Sequence, residues 1–170
     1  GPCEADIVER HHLAHAGLAV KLYKVTPADY PRYVTWQNEL YDEKKPHTPP
    51  GTKVVDAKVA IAQTAAPFAE TKIDLSPALA QGRGHVLAIV EPSPWTEKGP
   101  APQVIVWAQA TRIGIDVAVD STDAQIFTTA LETGAPLANT SISLQPMNVT
   151  VTTDERGLAT VAKVGAKRED

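Results

Sequence analysis

The chain of 170 residues is built from short apolar runs that alternate with a period of two and are separated by proline- and glycine-rich breaks. In residues 18–25 (LAVKLYKV), Leu18, Val20 and Leu22 fall on one side of an extended backbone, and the residues between them fall on the other. Successive side chains of a β-strand point to opposite faces in this way, whereas a helix repeats every 3.6 residues. The pattern predicts an all-β chain, and short strands at this spacing are typical of β-sandwiches.

Runs of the same kind predict further strands along the chain. They lie at residues 54–62, 70–75, 85–91, 103–110, 114–119, 124–131, 142–144, 149–153 and 158–164. Asp154 and Gly157 lie between the last two runs. Because an aspartate side chain bonds turn amides and glycine accepts positive φ, we expect a hairpin there. Gly134 is expected to adopt positive φ in another turn.

A short helix is predicted directly after the first strand. Thr26 occupies the N-cap position, Pro27 the first helical position and Asp29 the first turn, where a negative charge favours the positive end of the helix. The residues expected to face the sheet are Tyr30, Tyr33, Val34 and Trp36. The helix should end by Tyr41, because the proline-rich stretch that follows can continue neither helix nor strand.

Residues 92–102 contain four prolines and have the composition of a semi-rigid connector. We therefore expect two β-sandwich modules in tandem, at residues 3–94 and 102–170, joined by a linker at 95–101, with the helical insertion in the first. The second module offers about five strands where a complete immunoglobulin-like sandwich has about seven. It is either truncated or completed by another segment, and an open edge strand would invite pairing with another chain.

Composition and charge exclude several classes of function. The formal net charge is −4 with basic residues scattered among acidic ones, so no basic stripe is present to bind nucleic acid. The longest apolar runs, such as residues 86–90 and 104–108, have five residues, far fewer than the ~20 that span a bilayer. We expect neither a nucleic-acid partner nor a transmembrane segment in this sequence.

The two ends of the chain suggest a piece of a larger protein. Gly1-Pro2 without a methionine is typical of the remnant of a cleaved tag, and the charged residues 165–170 resemble an interrupted loop. A single cysteine, Cys3, cannot form a disulfide within the chain.

Three stretches of the second module carry a family resemblance. Residues 107–115 (WAQATRIGI), 126–137 (IFTTALETGAPL) and 153–159 (TDERGLA) resemble a macroglobulin-like domain of the bacterial alpha-2-macroglobulins. The first module is similar to the domain that precedes it in that family, in which a strand ending in an aromatic-basic pair, here Tyr23-Lys24, runs into a helical insertion.

The resemblance implies structural modules of a large periplasmic or cell-surface protein that entraps proteases. Neighbouring domains of the parent chain would be the partners of these modules, with target proteases as further partners. The pattern of turns also occurs in immunoglobulin-like repeats, so the alternative is a spacer of a bacterial adhesin or cell-surface protein. A carbohydrate-binding module built on Trp36, Trp95 and Trp107 is a third interpretation, although tryptophans in an apolar strand or helix are usually part of the core.

The chemistry of an enzyme or a covalent trap is not evident. The thioester of the family forms in a Cys-x-Glu-Gln motif, whereas Cys3 is followed by Glu4, Ala5 and Asp6. The sequence contains neither a Gly-x-Ser-x-Gly nucleophile elbow nor a glycine-rich phosphate loop. We expect a protein that is not an enzyme, with no catalytic residue, no cofactor and no metal site.

Other polar clusters have a functional and a structural interpretation each. Imidazoles near Glu9 could bind a metal adventitiously, and carboxylates near a strand end could bind calcium, but a solvated segment and capped turns are the simpler interpretations. Matches to the N-glycosylation pattern are expected to be chance in a bacterial protein. The histidines near Glu9 are His11, His12 and His15, and His47 and His85 are expected to be structural. The carboxylates considered for calcium are Asp116, Asp120 and Asp123, whereas Asp154 is expected to be a turn residue and not a catalytic acid. The asparagines are Asn139 and Asn148.

Overall fold

The computed structural model describes residues 4–7, 16–40, 48–61 and 70–162. The chain divides into two compact units, Gly1–Ala110 and Thr111–Asp170. Each is made of β-strands in two sheets, and the first also holds a short helix. The predicted all-β fold class with a helical insertion is confirmed.

Six strands form the first unit within the described residues. They are β1 (Glu4–Ile7), β2 (Gly17–Val25), β3 (Thr52–Ala60), β4 (Thr71–Asp74), β5 (Gly84–Ser93) and β6 (Val104–Ala110). An antiparallel four-stranded sheet has the order β3-β2-β5-β6, and β1 pairs with β4 in a two-stranded sheet. A single 3₁₀ turn, Ser76–Ala78, follows β4.

The four-stranded sheet is covered on both faces, which explains the unbroken apolar run of β5. Leu18, Val20 and Leu22 of β2 pack with Ile73 and Leu75 on one side. On the other side the helix contributes Tyr33 and Trp36, which pack against Leu87 and Ile89 of β5. Val86, Ala88 and Val90 of β5 also pack on the first side, and Val25 packs on the second. In a strand buried on both faces, side chains on both sides are apolar, so its sequence is a continuous apolar run.

The helix begins as the sequence predicts and ends before Tyr41, as expected. A 3₁₀ turn, Pro27–Asp29, leads into α1 (Tyr30–Asn38). The Asp29 carboxylate accepts hydrogen bonds from the Thr26 backbone N–H at 2.9 Å and from the Thr26 hydroxyl at 2.8 Å. Of the four side chains expected to face the sheet, Tyr33 and Trp36 are buried, whereas Tyr30 and Val34 are exposed. A nine-residue helix buries one narrow stripe. Tyr30 nevertheless packs edge-on against Trp107 of β6, so the expectation is wrong for Val34.

The proline-rich segment has a different role from the predicted one. It connects β5 to β6, and β6 pairs with β5 in continuous register from Gly84↔Ala110 to Val90↔Val104. The strand expected to open the second module therefore belongs to the sheet of the first unit, and residues 95–101 form a loop within that unit. The division of the chain lies between Ala110 and Thr111.

Five strands form the second unit within its described residues. They are β7 (Ile113–Val119), β8 (Asp123–Ala130), β9 (Ser141–Leu144), β10 (Val149–Thr152) and β11 (Leu158–Ala162). One sheet has the order β11-β8-β7 and the other pairs β9 with β10. The predicted hairpin between the last two strands is wrong, because β10 and β11 lie in different sheets. Asp154 still forms the turn, since its Oδ1 accepts from the backbone N–H groups of Arg156 and Leu158, both at 2.9 Å.

A buried hydrogen-bond network around the Leu137 carbonyl, which we call the Leu137 network, connects two of the stretches that carry the family resemblance, residues 126–137 and 153–159. The carbonyl oxygen of Leu137 accepts from the hydroxyls of Thr128 at 2.9 Å and Thr153 at 2.7 Å. The Thr153 hydroxyl in turn accepts from the backbone N–H of Thr140 at 2.9 Å. Both threonines are buried, so their polar groups require these partners. The network ties β8 to the segment that enters β9 and to the turn that leaves β10.

Candidate interaction surface

The carboxylates near the end of β7 do not converge on a common point. Asp120 Oδ1 accepts from the Thr122 N–H at 2.6 Å, the Thr122 hydroxyl at 2.9 Å and the Asp123 N–H at 2.9 Å. These bonds cap the turn between β7 and β8. Within the ranges that the structure describes, no group of three His, Cys, Asp or Glu side chains could hold a metal ion.

Three aspartates and one lysine have pKa values that are shifted by hydrogen bonds to nearby residues. Hydrogen bonds from the Thr26 N–H and hydroxyl lower the pKa of Asp29, and those from the Ser76 hydroxyl and N–H lower the pKa of Asp74. Lys53 Nζ lies 2.6 Å from Asp56 Oδ2; this hydrogen bond lowers the pKa of Asp56 and raises that of Lys53. All these groups are cap or ion-pair residues at the surface, an arrangement unlike an acid-base pair held in a cleft.

Trp36 and Trp107 both pack against Tyr33, whereas Trp95 lies in the loop between β5 and β6, so the three rings do not form a common exposed platform. Trp107 packs edge-on against Tyr30, with ring centroids 5.4 Å apart, and its Nε1 donates to His85 Nδ1 at 3.1 Å. Trp95 Nε1 donates to the carbonyl of Gly99 at 3.0 Å. Trp36 is buried beneath α1. The three rings serve the packing of helix, sheet and loop.

Two asparagines of the glycosylation pattern have a backbone role. Asn139 and Asn148 adopt positive φ, at 56° and 53°, a conformation that asparagine tolerates better than most residues. The remaining candidates, Cys3, Glu9, His11, His12, His15 and His47, lie outside the described residues.

A cavity of about 520 Å³ lies beside α1 in the first unit. Its walls are mainly apolar, and Lys21 is the charged residue among them; Lys21 Nζ is paired with Glu91 at 3.0 Å. The other lining residues are Tyr23, Trp36, Leu40, Pro49, Ile89, Pro100, Ala101, Pro102, Gln103 and Ile105. The lining contains no combination of nucleophile and base.

The most distinctive surface belongs to β7. Its alternate residues Ile113, Ile115, Val117 and Val119 share one side of the strand and are 37%, 55%, 55% and 63% exposed. We call these four side chains the β7 face. In the antiparallel register Ile115 lies opposite Thr128 and Val117 opposite Ile126, so the β7 face continues the buried side of the same sheet.

Among the described residues, no strand covers the β7 face. β7 is also the edge strand of its described sheet, as the order β11-β8-β7 shows. The sequence predicts an open edge from the number of strands but does not single out this face. The signal is nevertheless present, because four branched aliphatic residues alternate with Gly114, Asp116 and Ala118. Contiguous exposed apolar surface of this kind is typical of interaction sites.

No helix in the described part of the chain is both long and apolar enough to cross a bilayer.

Comparisons with known proteins give a match at the level of fold. No protein-family model matches the sequence, and no curated protein matches it significantly. A solved structure of native alpha-2-macroglobulin from Escherichia coli, spanning domains MG0-NIE-MG1, superposes with a TM-score of 0.59 at 19% sequence identity, covering 88% of this chain and 49% of that chain.

A second solved structure of the same E. coli protein, spanning domains NIE-MG1, gives a TM-score of 0.57 at 19% identity and covers 92% of this chain and 76% of that one. The chain thus spans about half the length of the first structure and three quarters of the second. Since both alignments cover most of the chain, the match includes residues of both units. The chain has the fold of these alpha-2-macroglobulin domains.

Proposed function

We propose that the chain is a non-catalytic, architectural part of a large bacterial alpha-2-macroglobulin-like protein that inhibits proteases by entrapment. The observation that carries this proposal is the structural likeness to E. coli alpha-2-macroglobulin, which extends over 88% and 92% of the chain in two comparisons. By their order along the chain, the first unit would correspond to an NIE domain and the second to an MG1 domain.

The side chains of the two units support an architectural role. Their hydroxyls and carboxylates largely bond their own turns and caps, as in the Leu137 network and the Asp120 turn. The partners in this proposal are neighbouring domains of the parent chain and, through the whole protein, target proteases. The parent would be exported to the periplasm or the cell surface, where it would meet such proteases.

Protease assays test the proposal. A protease entrapped by the parent protein should lose activity on a large protein substrate and keep its activity on a short peptide, because only the large substrate is excluded from the trap. The 170-residue chain alone should neither cleave these substrates nor protect them. Stoichiometric inhibition by the isolated chain, or a parent that leaves both activities unchanged, would contradict the proposal.

A further inference from the structure

We propose that the cavity beside α1 binds an extended, proline-rich segment of a partner protein, whose rings fill the cavity and whose backbone carbonyl accepts a hydrogen bond from the buried Trp36 indole. We call it the α1 cavity. Its lining residues all belong to the first unit. The inference goes beyond the proposed function and does not depend on it, because it gives this unit a ligand in addition to an architectural role.

The Trp36 indole is the observation that carries the proposal. Trp36 is 8% exposed and packs against Tyr33, with ring centroids 6.2 Å apart, and against Leu87 and Ile89 of β5. Its Nε1 is shielded from solvent and has no hydrogen-bond partner among the described residues. Buried polar groups are almost always paired, because an unpaired one keeps the full cost of its lost hydration. An acceptor brought by a ligand would offset that cost.

The same indole forms part of the wall of the α1 cavity. The volume of about 520 Å³ falls within the ~300–1,000 Å³ that is typical of ligand sites. Because Nε1 is shielded, a ligand carbonyl reaches it through a small rearrangement of side chains in the wall, which is common when partners bind. The α1 cavity thus combines space for a ligand with a donor that can accept a new partner.

Rings make up much of the wall. Tyr23 of β2 lies there with Trp36, and the other rings are those of Pro49, Pro100 and Pro102. Grooves lined by aromatic rings bind proline-rich peptides in the polyproline II conformation. Such a peptide is extended before it binds, so it loses little conformational entropy on binding. The shape and the lining of the cavity therefore favour a proline-rich segment.

The charge of the wall favours a neutral occupant. Lys21 is the charged lining residue, and its Nζ lies 3.0 Å from Oε2 of Glu91. The same carboxylate accepts a hydrogen bond from Gln103 Nε2. A free carboxylate in the cavity would compete with Glu91 for Lys21 and would be repelled by Glu91. A backbone carbonyl has no net charge and avoids this repulsion.

Hydrogen bonding distinguishes a proline-rich peptide from an ordinary one. The side chains of Lys21 and Trp36 carry donors and no acceptor. Proline residues offer backbone carbonyls but no N–H groups, and the carbonyls of a polyproline II segment have no internal partners. An ordinary peptide would also bring N–H groups, for which these two side chains supply no acceptor.

The indole N–H signals of the unaltered chain provide the first test. The probe is a peptide of about ten prolines with both ends capped, roughly three turns of polyproline II, and the control is a capped glycine-serine peptide of the same length. In ¹H–¹⁵N spectra the Trp36 signal should move to saturation as the proline peptide is added. The signals of Trp95 and Trp107 should move less, because these indoles already donate to the Gly99 carbonyl and to His85.

A matched pair of substitutions provides the second test. Trp36→Phe keeps an aromatic ring in the wall and removes the N–H, whereas Trp107→Phe makes the same change at a residue outside the lining. By titration calorimetry, Trp36→Phe should bind the proline peptide about fivefold more weakly than the unaltered chain, the effect of one hydrogen bond, and Trp107→Phe should bind it within about twofold. The affinity of the unaltered chain should be similar at ~50 mM and ~500 mM NaCl, because salt does not screen a neutral ligand.

The proposal would be overturned by a Trp36 signal that does not move with the proline peptide, by equal movement with the glycine-serine peptide, or by unchanged affinity in Trp36→Phe. A steep loss of affinity with salt would also overturn it. If Trp36→Phe does not fold, the indole signals of the unaltered chain decide the question.

Protease entrapment is a separate readout. A parent that fails to entrap proteases, together with a chain that binds the proline peptide through Trp36, would contradict the proposed function and still support the α1 cavity as a peptide site.

Discussion

At the scale of single residues, the second unit depends on polar groups that are buried with their partners. The Thr153 hydroxyl both donates to the Leu137 carbonyl and accepts from the Thr140 N–H. Thr153→Val keeps the shape of the side chain but leaves these two groups without that partner. We expect the variant to lose about 1–3 kcal/mol of unfolding free energy, the cost of unsatisfied buried groups.

The neighbouring Thr152 supplies the control for this substitution. Thr152 is exposed on β10, so Thr152→Val should change the free energy of unfolding by less than ~0.5 kcal/mol. Urea denaturation followed by circular dichroism measures both variants. Equal midpoints for the two would show that the Leu137 network contributes little.

Gly134 and Gly157 have similar left-handed backbone conformations, so alanine substitutions at the two positions distinguish backbone strain from steric conflict. Gly157 has φ +73° and a Cβ there would lie 2.6 Å from the Thr128 carbonyl oxygen, whereas Gly134 has φ +71° and open space around the Cβ position. Gly134→Ala should lower the free energy of unfolding by about 1–2 kcal/mol, because alanine is strained in the left-handed conformation.

Gly157→Ala should lower the free energy of unfolding more than Gly134→Ala does, because the Thr128 carbonyl belongs to the β-sheet backbone and cannot move aside freely. The difference between the two unfolding free energies measures the steric part. A Gly157→Ala variant as stable as Gly134→Ala would mean that this close approach relaxes without cost.

At the scale of elements, the start of α1 makes stability depend on pH. Hydrogen bonds from the Thr26 N–H and hydroxyl lower the pKa of the Asp29 carboxyl in the folded state. The carboxylate therefore stabilises the fold above the unfolded pKa of ~3.9, and this contribution is lost as the pH falls through the lower pKa of the folded state.

The urea midpoint should consequently fall between pH 6 and pH 3, and Asp29→Asn should show a shallower fall. The slope should not vanish, because the pKa values of Asp56 and Asp74 are lowered as well. An Asp29→Asn variant with the same pH dependence as the unaltered chain would contradict the role of this cap.

The contact between α1 and the sheet gives a second prediction at this scale. Trp107 Nε1 donates to His85 Nδ1 across β5 and β6, and the Trp107 ring supports Tyr30 and Tyr33 of α1. A double-mutant cycle of Trp107→Phe and His85→Ala should yield a coupling free energy of about 1 kcal/mol, as expected for one hydrogen bond and its packing. Additive effects would mean that the two side chains stabilise the protein independently.

Local patterns in the sequence predict the elements better than their connections. The alternation of Leu18, Val20 and Leu22 identifies β2 and its buried side, and Gly134 has the expected positive φ. The turn at Asp154 was identified, but hairpins and turns that change sheets use the same residues. Which strand pairs with β11 is decided by packing between residues far apart in the chain, which local alternation does not encode.

At the scale of the whole molecule, the same limit explains the domain boundary. Prolines between residues 92 and 102 have the composition of a linker, yet they form a loop because β6 completes its hydrogen bonds on β5. The β7 face was missed for a related reason. Its aliphatic alternation predicts a buried side, and only the structure shows that nothing among the described residues covers it.

An architectural role means that these two units act through their fold and not through a reactive site. The decisive measurement is the activity of a protease on a large protein substrate in the presence of two variants of the parent protein. The first variant disrupts the second unit with Thr153→Val and Gly157→Ala. The second variant keeps the fold and removes the polar candidates, with Cys3→Ser, His11→Ala, His12→Ala, His15→Ala, Asp116→Asn and Asp123→Asn.

The first variant should fail to protect the large substrate, and the second should protect it as well as the unaltered parent does. Protection by the first variant together with its loss in the second would contradict an architectural role and place the function in the side chains.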